Sequence, residues 1–320
     1  MNLELTSFRF VRALLCFLPF YQEVAAAELA QGHGMWVYET AEIAASPEEQ
    51  ERLFSFCQKR GITDLFWQVH FSKAESDVCH LENGEAHRSF LREAHAHSLR
   101  IHALTGDPSH TRTAKHGRVI SLVEALLAFN VSSDAEGRFD GLHLDIEPHG
   151  LPEWKKADTA LRCELLGQFV ELHRLVAERL RREKDSILLG TDLVFWLNKS
   201  GPDGSPAYPV EVSGLTKDPT AFLLDLVDQV AIMSYRDTTE GRNGIVALVA
   251  ETIRQADTTK AKVYVGVKMA PIGSAKESYF GRREADMWTD LQRVEEAYQS
   301  HPGYAGMAFF HYGAFRTMAP

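Results

Sequence analysis

The sequence predicts a (β/α)₈ barrel, in which eight parallel strands form a closed ring and helices cover the outside. Short apolar segments alternate with helical segments eight times along the chain, and strict alternation implies a parallel sheet. The eight units occupy roughly 290 residues, which is the usual size of this fold. The alternative is an open doubly wound sheet, but no Gly-x-Gly-x-x-Gly turn follows the first predicted strand.

The predicted strands are short, rich in aromatic and β-branched residues, and bounded by polar or glycine-containing segments. The first opens with glycines, and the fourth alternates apolar and polar residues. No internal repeat or linker points to a second domain. In chain order, we predict strands at residues 32–39, 62–71, 100–106, 139–148, 186–197, 229–237, 262–269 and 306–312.

Several of the predicted helices carry start and stop signals. Ser46, Pro47 and Glu49 form an N-cap, a first-turn proline and a capping box, and Gly61 ends that helix. Asp218 and the proline after it open a shorter helix in the same way. A long amphipathic helix is indicated by apolar residues at helical spacing between residues 161 and 180. The other helices are predicted at about residues 85–98, 119–130, 245–256 and 284–300.

Composition is that of an ordinary soluble globular protein, with 45% hydrophobic and 24% charged residues in a chain of 320. The formal net charge of −10 argues against a polyanionic partner such as nucleic acid. It leaves a neutral sugar or a peptide as possible partners. We expect no cofactor.

The N-terminus resembles a secretory signal peptide. Arg9 and Arg12 precede an apolar run at 13–20, and small residues follow at 24–27. We therefore expect residues 1–27 to be a signal peptide, residues 28–320 to be one catalytic barrel domain, and the protein to be secreted or periplasmic. The alternative is a frayed N-terminal helix in a cytoplasmic protein. No other segment approaches the length of a membrane span.

The chemistry is predicted to lie in the fourth strand, residues 139–148, which reads FDGLHLDIEP. His143, Asp145 and Glu147 share one face of this strand, and the two carboxylates lie roughly 6–7 Å apart by backbone rise. Pro148 keeps Glu147 extended. The other face is apolar and can pack against helices; it consists of Leu142, Leu144 and Ile146.

In such barrels the active site lies at the carboxyl ends of the strands. Polar residues occupy many of the predicted strand ends, which indicates a polar cleft. Trp67 and Trp196 have flat apolar faces that suit a sugar ring, although tryptophan in a barrel also serves as core packing. The polar strand-end residues are Glu39, His70, Asp107, Asp145, Glu147, Asp192, Tyr235, Asp237 and His311.

Residues 140–147 resemble the strand-four signature of the glycoside hydrolase 18 (chitinase-like) superfamily, Asp-x-x-Asp-x-Asp-x-Glu, and residues 233–235 resemble its Met-x-Tyr motif. The resemblance implies retaining, substrate-assisted hydrolysis of a glycosidic bond in a carbohydrate substrate. Glu147 matches the general acid, and Asp145 matches the carboxylate that orients a 2-acetamido group. Tyr235 matches the tyrosine that hydrogen-bonds this group. A neighbouring carboxylate favours the protonated acid that this chemistry requires.

Two departures from the pattern predict a divergent member with another glycan as substrate. His143 replaces the middle aspartate, and Arg236 follows the tyrosine where the family usually has aspartate. If the substrate lacks a 2-acetamido group, Asp192 or Asp237 would act as nucleophile or base. The residues expected to bind substrate are His143, His70, Asp192, Asp237, Trp196, Trp67, Glu39 and His311.

Two other functions remain open from the sequence. A metal-dependent hydrolase would use His143, Asp145 and Glu147 as ligands, with His70 and His311 across the barrel. A carbohydrate-binding protein without catalysis would be lectin-like, but such relatives typically lose the acid that Glu147 supplies here.

Overall fold

Eight parallel strands close into a barrel in the computed structural model, which describes residues 32–73, 79–183, 187–212 and 214–320. The first strand pairs with both the second and the last, so the sheet has no free edge. The predicted (β/α)₈ fold is confirmed. The strands are β1 (His33–Val37), β2 (Ile62–Gln68), β3 (Arg100–Thr105), β4 (Gly141–Leu144), β5 (Leu188–Val194), β6 (Gln229–Met233), β7 (Lys262–Lys268) and β8 (Tyr304–Phe310).

Helices lie between the strands and cover the outside of the barrel. They are α1 (Thr40–Ala45), α2 (Pro47–Lys59), α3 (Gly84–Ala96), α4 (Thr113–Val131), α5 (Thr159–Leu180), α6 (Pro219–Leu226), α7 (Ile245–Ala256), α8 (Glu284–Tyr298) and α9 (Tyr312–Phe315). Two small antiparallel hairpins project from the loops, Phe71–Lys73 with Cys79–Leu81 and Val210–Val212 with Leu215–Lys217. The prediction of one long second strand was therefore wrong, because its last residue belongs to a hairpin.

The helix start signals act as predicted, with one exception. The Ser46 hydroxyl accepts a hydrogen bond from the Glu49 backbone N–H at 3.3 Å, and the Asp218 carboxylate accepts one from the third residue of α6 at 2.9 Å. The second half of the capping box does not form, because the Glu49 carboxylate pairs with Arg52 and Arg316 instead.

Most of the apolar core lies in two layers. The larger layer fills the space between the strands and the helices. It contains the outward-facing side chains of β4 and of the segment just after it. The smaller layer lies inside the barrel and includes Trp36, Phe66 and Tyr264. The alternation predicted for β4 is confirmed, since Leu142, Leu144 and Ile146 are no more than 2% exposed and belong to the outer layer.

Polar groups occupy the end of the barrel at which the strands begin. Asp64 accepts hydrogen bonds from Arg100 Nη2 at 2.7 Å and from His102 Nε2 at 2.8 Å. Gln229 Nε2 donates to His102 Nδ1 at 3.1 Å. Burial alone would raise the pKa of Asp64, but the hydrogen bonds and charges of His102 and Arg100 outweigh it and lower the pKa to about 2. We call these four residues the lower cluster.

No helix in the described part of the chain is long and apolar enough to cross a membrane. The predicted signal peptide at residues 1–27 lies outside the described residues.

Candidate active site

The carboxylates of residues 145 and 147 lie where β4 ends, at the opposite end of the barrel from the lower cluster. The ladder of β4 continues one step past the strand, since the Asp145 N–H donates to the Thr105 carbonyl at 3.0 Å. Glu147 stays extended (φ −108°, ψ 93°), and Pro148 then starts a short 3₁₀ helix. This is the geometry that a proline imposes on the residue before it. The chain therefore presents both carboxylates to the mouth of the barrel.

A buried hydrogen-bond network supports Asp145 from within the barrel. Asp192 on β5 lies within hydrogen-bond reach of Asp145 and is 2% exposed. Its Oδ1 accepts from His143 Nε2 at 3.0 Å, and its Oδ2 accepts from the Trp36 indole N–H at 3.2 Å. Because Trp36 belongs to β1, this last bond crosses the barrel. We call these four residues the upper cluster.

The upper cluster favours protonated carboxyl groups. Burial, with the nearby charges of Asp192 and Glu147, raises the pKa of Asp145 to about 8. Burial also raises the pKa of Asp192 well above its usual range, against the opposing effect of the Trp36 hydrogen bond. Two carboxyl groups in contact with no adjacent cation cannot both be ionised at low cost. We conclude that the pair holds one proton at neutral pH.

His143 lies beneath the pair and is fully buried, so its predicted contact with substrate is wrong. Its ring stacks on Phe66 with 4.1 Å between centroids and lies over its ladder partner Gly190. A Cβ atom on Gly190 would come within 2.4 Å of His143 Nδ1, so this position needs glycine. Burial lowers the pKa of His143 to about 3, which makes it a neutral N–H donor that positions Asp192.

Glu147 is the most accessible carboxylate of the site. One third of its side chain is exposed, and its Oε2 lies 3.1 Å from His149 Nε2. His149 in turn packs edge-on against Trp196, at 5.8 Å between centroids, and Trp154 and Tyr208 complete this aromatic group. Trp196 thus lies beside Glu147, as a sugar-contacting residue requires.

Tyr235 follows β6, the strand that pairs with β5, and lies at the mouth near the carboxylates. Its neighbours are Phe310 at 5.6 Å between centroids and the Lys268 ammonium at 5.2 Å from its ring. Burial, with the charges of Asp192 and Asp145 among others, raises the pKa of Tyr235, so the phenol keeps its proton and can donate it in a hydrogen bond.

Sequence reasoning missed four residues of the mouth: Tyr38, His149, Lys268 and Phe310. The positions of three of them carried a signal, since Tyr38 directly follows β1 while Lys268 and Phe310 are the last residues of β7 and β8. Carboxyl ends of parallel strands converge in this fold, and apolar or cationic residues there also line the cleft.

The remaining predicted residues are distributed around the mouth. Glu39 and His311 face each other, with 3.6 Å between Oε1 and Nδ1. Asp237 is bound to Arg282 Nη2 at 2.7 Å and does not point at the carboxylate pair. His70 is exposed and lines a separate pocket with Thr40, Gln68 and Glu82.

Trp67 does not belong to the site, which corrects its predicted contact with sugar. It is fully buried in the outer core layer, where it stacks on Phe90 of α3 at 3.8 Å and donates its indole N–H to His87 Nδ1 at 3.3 Å. The adjacent residue, Phe66, faces the barrel interior instead. Because neighbouring residues of a strand point to opposite sides, only one of these two aromatic residues can face inward.

The metal-site alternative requires several ligands to converge. Within the described ranges, no group of three or more His, Cys, Asp or Glu side chains is arranged to hold a metal ion. His143, which that alternative needs, is bound to Asp192 below the mouth.

Comparison with solved structures shows the fold of glycoside hydrolase 18 chitinases. A GH18 chitinase from Pseudoalteromonas aurantia matches with a TM-score of 0.54 and 9% identity over 88% of this chain and 94% of that one. A chitinase from Rhizomucor miehei gives a TM-score of 0.53 and 13% identity, over 88% and 95%. A GH18 chitinase from Cycas revoluta in complex with (GlcNAc)₃ gives 0.50 and 14%, over 87% and 94%.

The similarity is one of structure, at low sequence identity. No protein-family model matches the sequence. No curated protein matches it. The resemblance noted in the sequence of β4 is thus accompanied by similarity of the whole barrel to chitinase structures.

Proposed function

We propose that this protein is a retaining glycoside hydrolase in which Glu147 is the general acid. Asp145 orients a 2-acetamido group of the substrate, and Tyr235 donates a hydrogen bond to that group. The substrate class is an oligosaccharide or polysaccharide that contains 2-acetamido sugars. The chitinase-like fold and the ligand (GlcNAc)₃ of one similar structure support this class.

The observation that carries the proposal is the carboxyl pair formed by Asp145 and Asp192 next to Glu147. Burying two carboxyl groups against each other brings no gain in stability, because each raises the free-energy cost of ionising the other. Perturbed carboxyl groups of this kind concentrate at catalytic sites. Here they lie at the carboxyl ends of the strands, where barrel enzymes carry out their chemistry.

One oxygen of Asp145 has no hydrogen-bond partner among the described residues. This oxygen, Oδ1, is buried, and Asp192 lies within hydrogen-bond reach of the same carboxyl group. Buried polar atoms are normally paired, so an unpaired oxygen at this position indicates that a partner is still to be supplied. In the proposed reaction, the Asp145 carboxyl group gains that partner in the acetamido N–H of the substrate.

The proposed reaction proceeds in two steps with balanced proton transfers. Glu147 gives its proton to the glycosidic oxygen, and the acetamido oxygen attacks the anomeric carbon as the bond to the leaving group breaks. Asp145 holds the acetamido N–H and stabilises the positive charge that develops there. Water then attacks the anomeric carbon as the bond to the acetamido oxygen breaks, and it gives its proton to Glu147, which restores the acid and leaves a product of retained configuration.

The test is hydrolysis of GlcNAc oligosaccharides by the wild type and by Glu147→Gln. We expect turnover to fall by about 10²–10⁴-fold, because the amide cannot donate an acidic proton, while binding persists. Glu164→Gln, at an exposed position on α5, is the matched control and should retain full activity. Cleavage by the Glu147 variant at the wild-type rate would refute the assignment. Binding without cleavage by the wild type would instead favour a carbohydrate-binding protein.

A further inference from the structure

Two cations flank Tyr235 at the mouth of the barrel, and the proposed reaction uses neither of them. The Lys268 ammonium lies 5.2 Å from the centroid of the Tyr235 ring and 4.9 Å from that of Phe310. Arg236 donates from Nη1 to the Tyr235 carbonyl at 2.7 Å, and its guanidinium lies 5.1 Å from the Phe195 ring. Both cations therefore rest on aromatic faces beside the residue that is proposed to contact substrate.

Neither cation has a carboxylate partner within ion-pair distance in the described part of the chain. A third cation of the same region shows the contrast. Arg282 pairs with Asp237 at 2.7 Å and with Asp290 at 3.3 Å. Asp237 is the residue next to Arg236, yet its carboxylate is bound to Arg282. The protein thus pairs one cation near the mouth with carboxylates and leaves the other two without an ion-pair partner among the described residues.

The position of the Lys268 ammonium is energetically unfavourable for a charged group. Its side chain is half-buried, and burial lowers the pKa of its ammonium against the opposing charges of Glu147 and Glu277. Contacts with aromatic rings replace only part of the lost hydration. An anion bound in the cleft would offset this cost.

We propose that the substrate carries an anionic group, a carboxylate or a sulfate ester, which binds between Lys268 and Arg236 beside Tyr235. This inference rests on the proposed function and narrows its substrate class to acidic glycans. We expect one anionic substituent at this position, because the net charge of −10 disfavours a polyanion bound along the surface. The aromatic rings of Tyr235 and Phe310 would contact the sugar to which the anion is attached.

The test is a binding measurement on the Glu147→Gln variant, so that cleavage does not consume the ligand. Three matched probes are compared by calorimetry at low ionic strength: a neutral GlcNAc trisaccharide, the same trisaccharide with one 6-O-sulfate, and the same trisaccharide with one C6 oxidised to a carboxylate. We expect at least one anionic probe to bind about tenfold more tightly than the neutral one, as charge-assisted hydrogen bonds allow. The two anionic probes distinguish a sulfate site from a carboxylate site.

Further substitutions in the same background locate the effect. Lys268→Met and Arg236→Gln should each reduce the preference for the anionic probe, and Lys268→Arg should keep most of it. Lys276→Met changes the net charge equally at an exposed position and should leave the preference intact. Thermal unfolding of each variant checks that the fold is retained.

The outcomes separate this inference from the proposed function. Equal binding of neutral and anionic probes, or a preference that survives both Lys268→Met and Arg236→Gln, overturns the anion site. Absence of binding to both anionic probes overturns it as well. Cleavage of the neutral trisaccharide by the wild type would still support the proposed function. Tight binding of an anionic probe that the wild type never cleaves would overturn the proposed function alone.

Discussion

The barrel encloses two aspartate–histidine pairs whose electrostatics are opposite. In the lower cluster, His102 and Arg100 bind Asp64, and the pKa of this carboxyl group falls to about 2. In the upper cluster, His143 binds Asp192, yet the pKa of its neighbour Asp145 rises to about 8.

The two clusters differ in the third group that lies beside each aspartate–histidine pair. In the lower cluster this group is the Arg100 guanidinium, which neutralises the Asp64 carboxylate. The upper pair lies against a second carboxyl group and has no adjacent cation among the described residues, so burial and repulsion dominate. The lower cluster lies where the strands begin, the end of the barrel associated with stability, and the upper one lies where they end, the catalytic end. The same side-chain pair can therefore have a lowered or a raised carboxyl pKa, depending on the third group beside it.

The largest effect is expected from removal of the charge in the lower cluster. Asp64→Asn leaves the half-buried Arg100 against a neutral amide, and breaking a pair whose carboxylate is fully buried costs about 3–5 kcal/mol of unfolding free energy. Urea denaturation measures this loss. The paired carboxylate of Asp64 contributes stability that is present above about pH 4 and is lost as the pH falls toward 2. A variant as stable as the wild type would show that Asp64 is not the stabilising centre described here.

The corresponding change in the upper cluster should affect activity and spare stability. Asp145→Asn removes the carboxyl group that, in the proposed reaction, stabilises the developing positive charge, and turnover should fall by about 10²–10³-fold. The amide no longer repels Asp192, so unfolding free energy at neutral pH should stay equal or rise. Hydrolysis assays and denaturation of the same preparation test both parts. Loss of stability comparable to that of Asp64→Asn would remove the contrast between the clusters.

A smaller effect concerns the pH dependence of stability. The pKa of Asp145 is higher in the folded chain than its ordinary value of 3.8, so its contribution to stability is complete below about pH 4 and is lost as the pH rises toward 8. The stability of Asp145→Asn relative to the wild type should therefore rise between pH 5 and 7, by at most about 1.4 kcal/mol per pH unit. Comparing the two proteins cancels the titration of all other groups. A difference independent of pH would contradict a raised pKa.

Local sequence signals were sufficient for the fold. The caps at Ser46 and Asp218 fixed two helix starts, and the order of strands and helices followed from hydrophobic pattern alone. The two faces of β4 were also predictable, because alternation is a property of a single strand.

Contacts between strands were not predictable in the same way. His143 of β4 is aligned with Gly190 of β5. Asp145 and Asp192 lie two residues beyond these partners in the sequence, so they are brought side by side. This register depends on closure of the whole barrel. Trp67 was misplaced for a related reason. Strands of a parallel barrel are apolar on both faces, so Phe66 and Trp67 give no sign of which one points inward.

We expect Asp145 and Asp192 to share one proton at neutral pH while Asp64 is ionised. Carboxyl ¹³C NMR titration of aspartate-labelled protein tests this expectation directly, with Asp145→Asn and Asp64→Asn providing the assignments. We predict that the Asp145 resonance titrates near pH 8 and that the Asp64 resonance stays that of a carboxylate until the pH approaches 2. Titration of both resonances near pH 4, the range of an ordinary aspartate, would contradict the account.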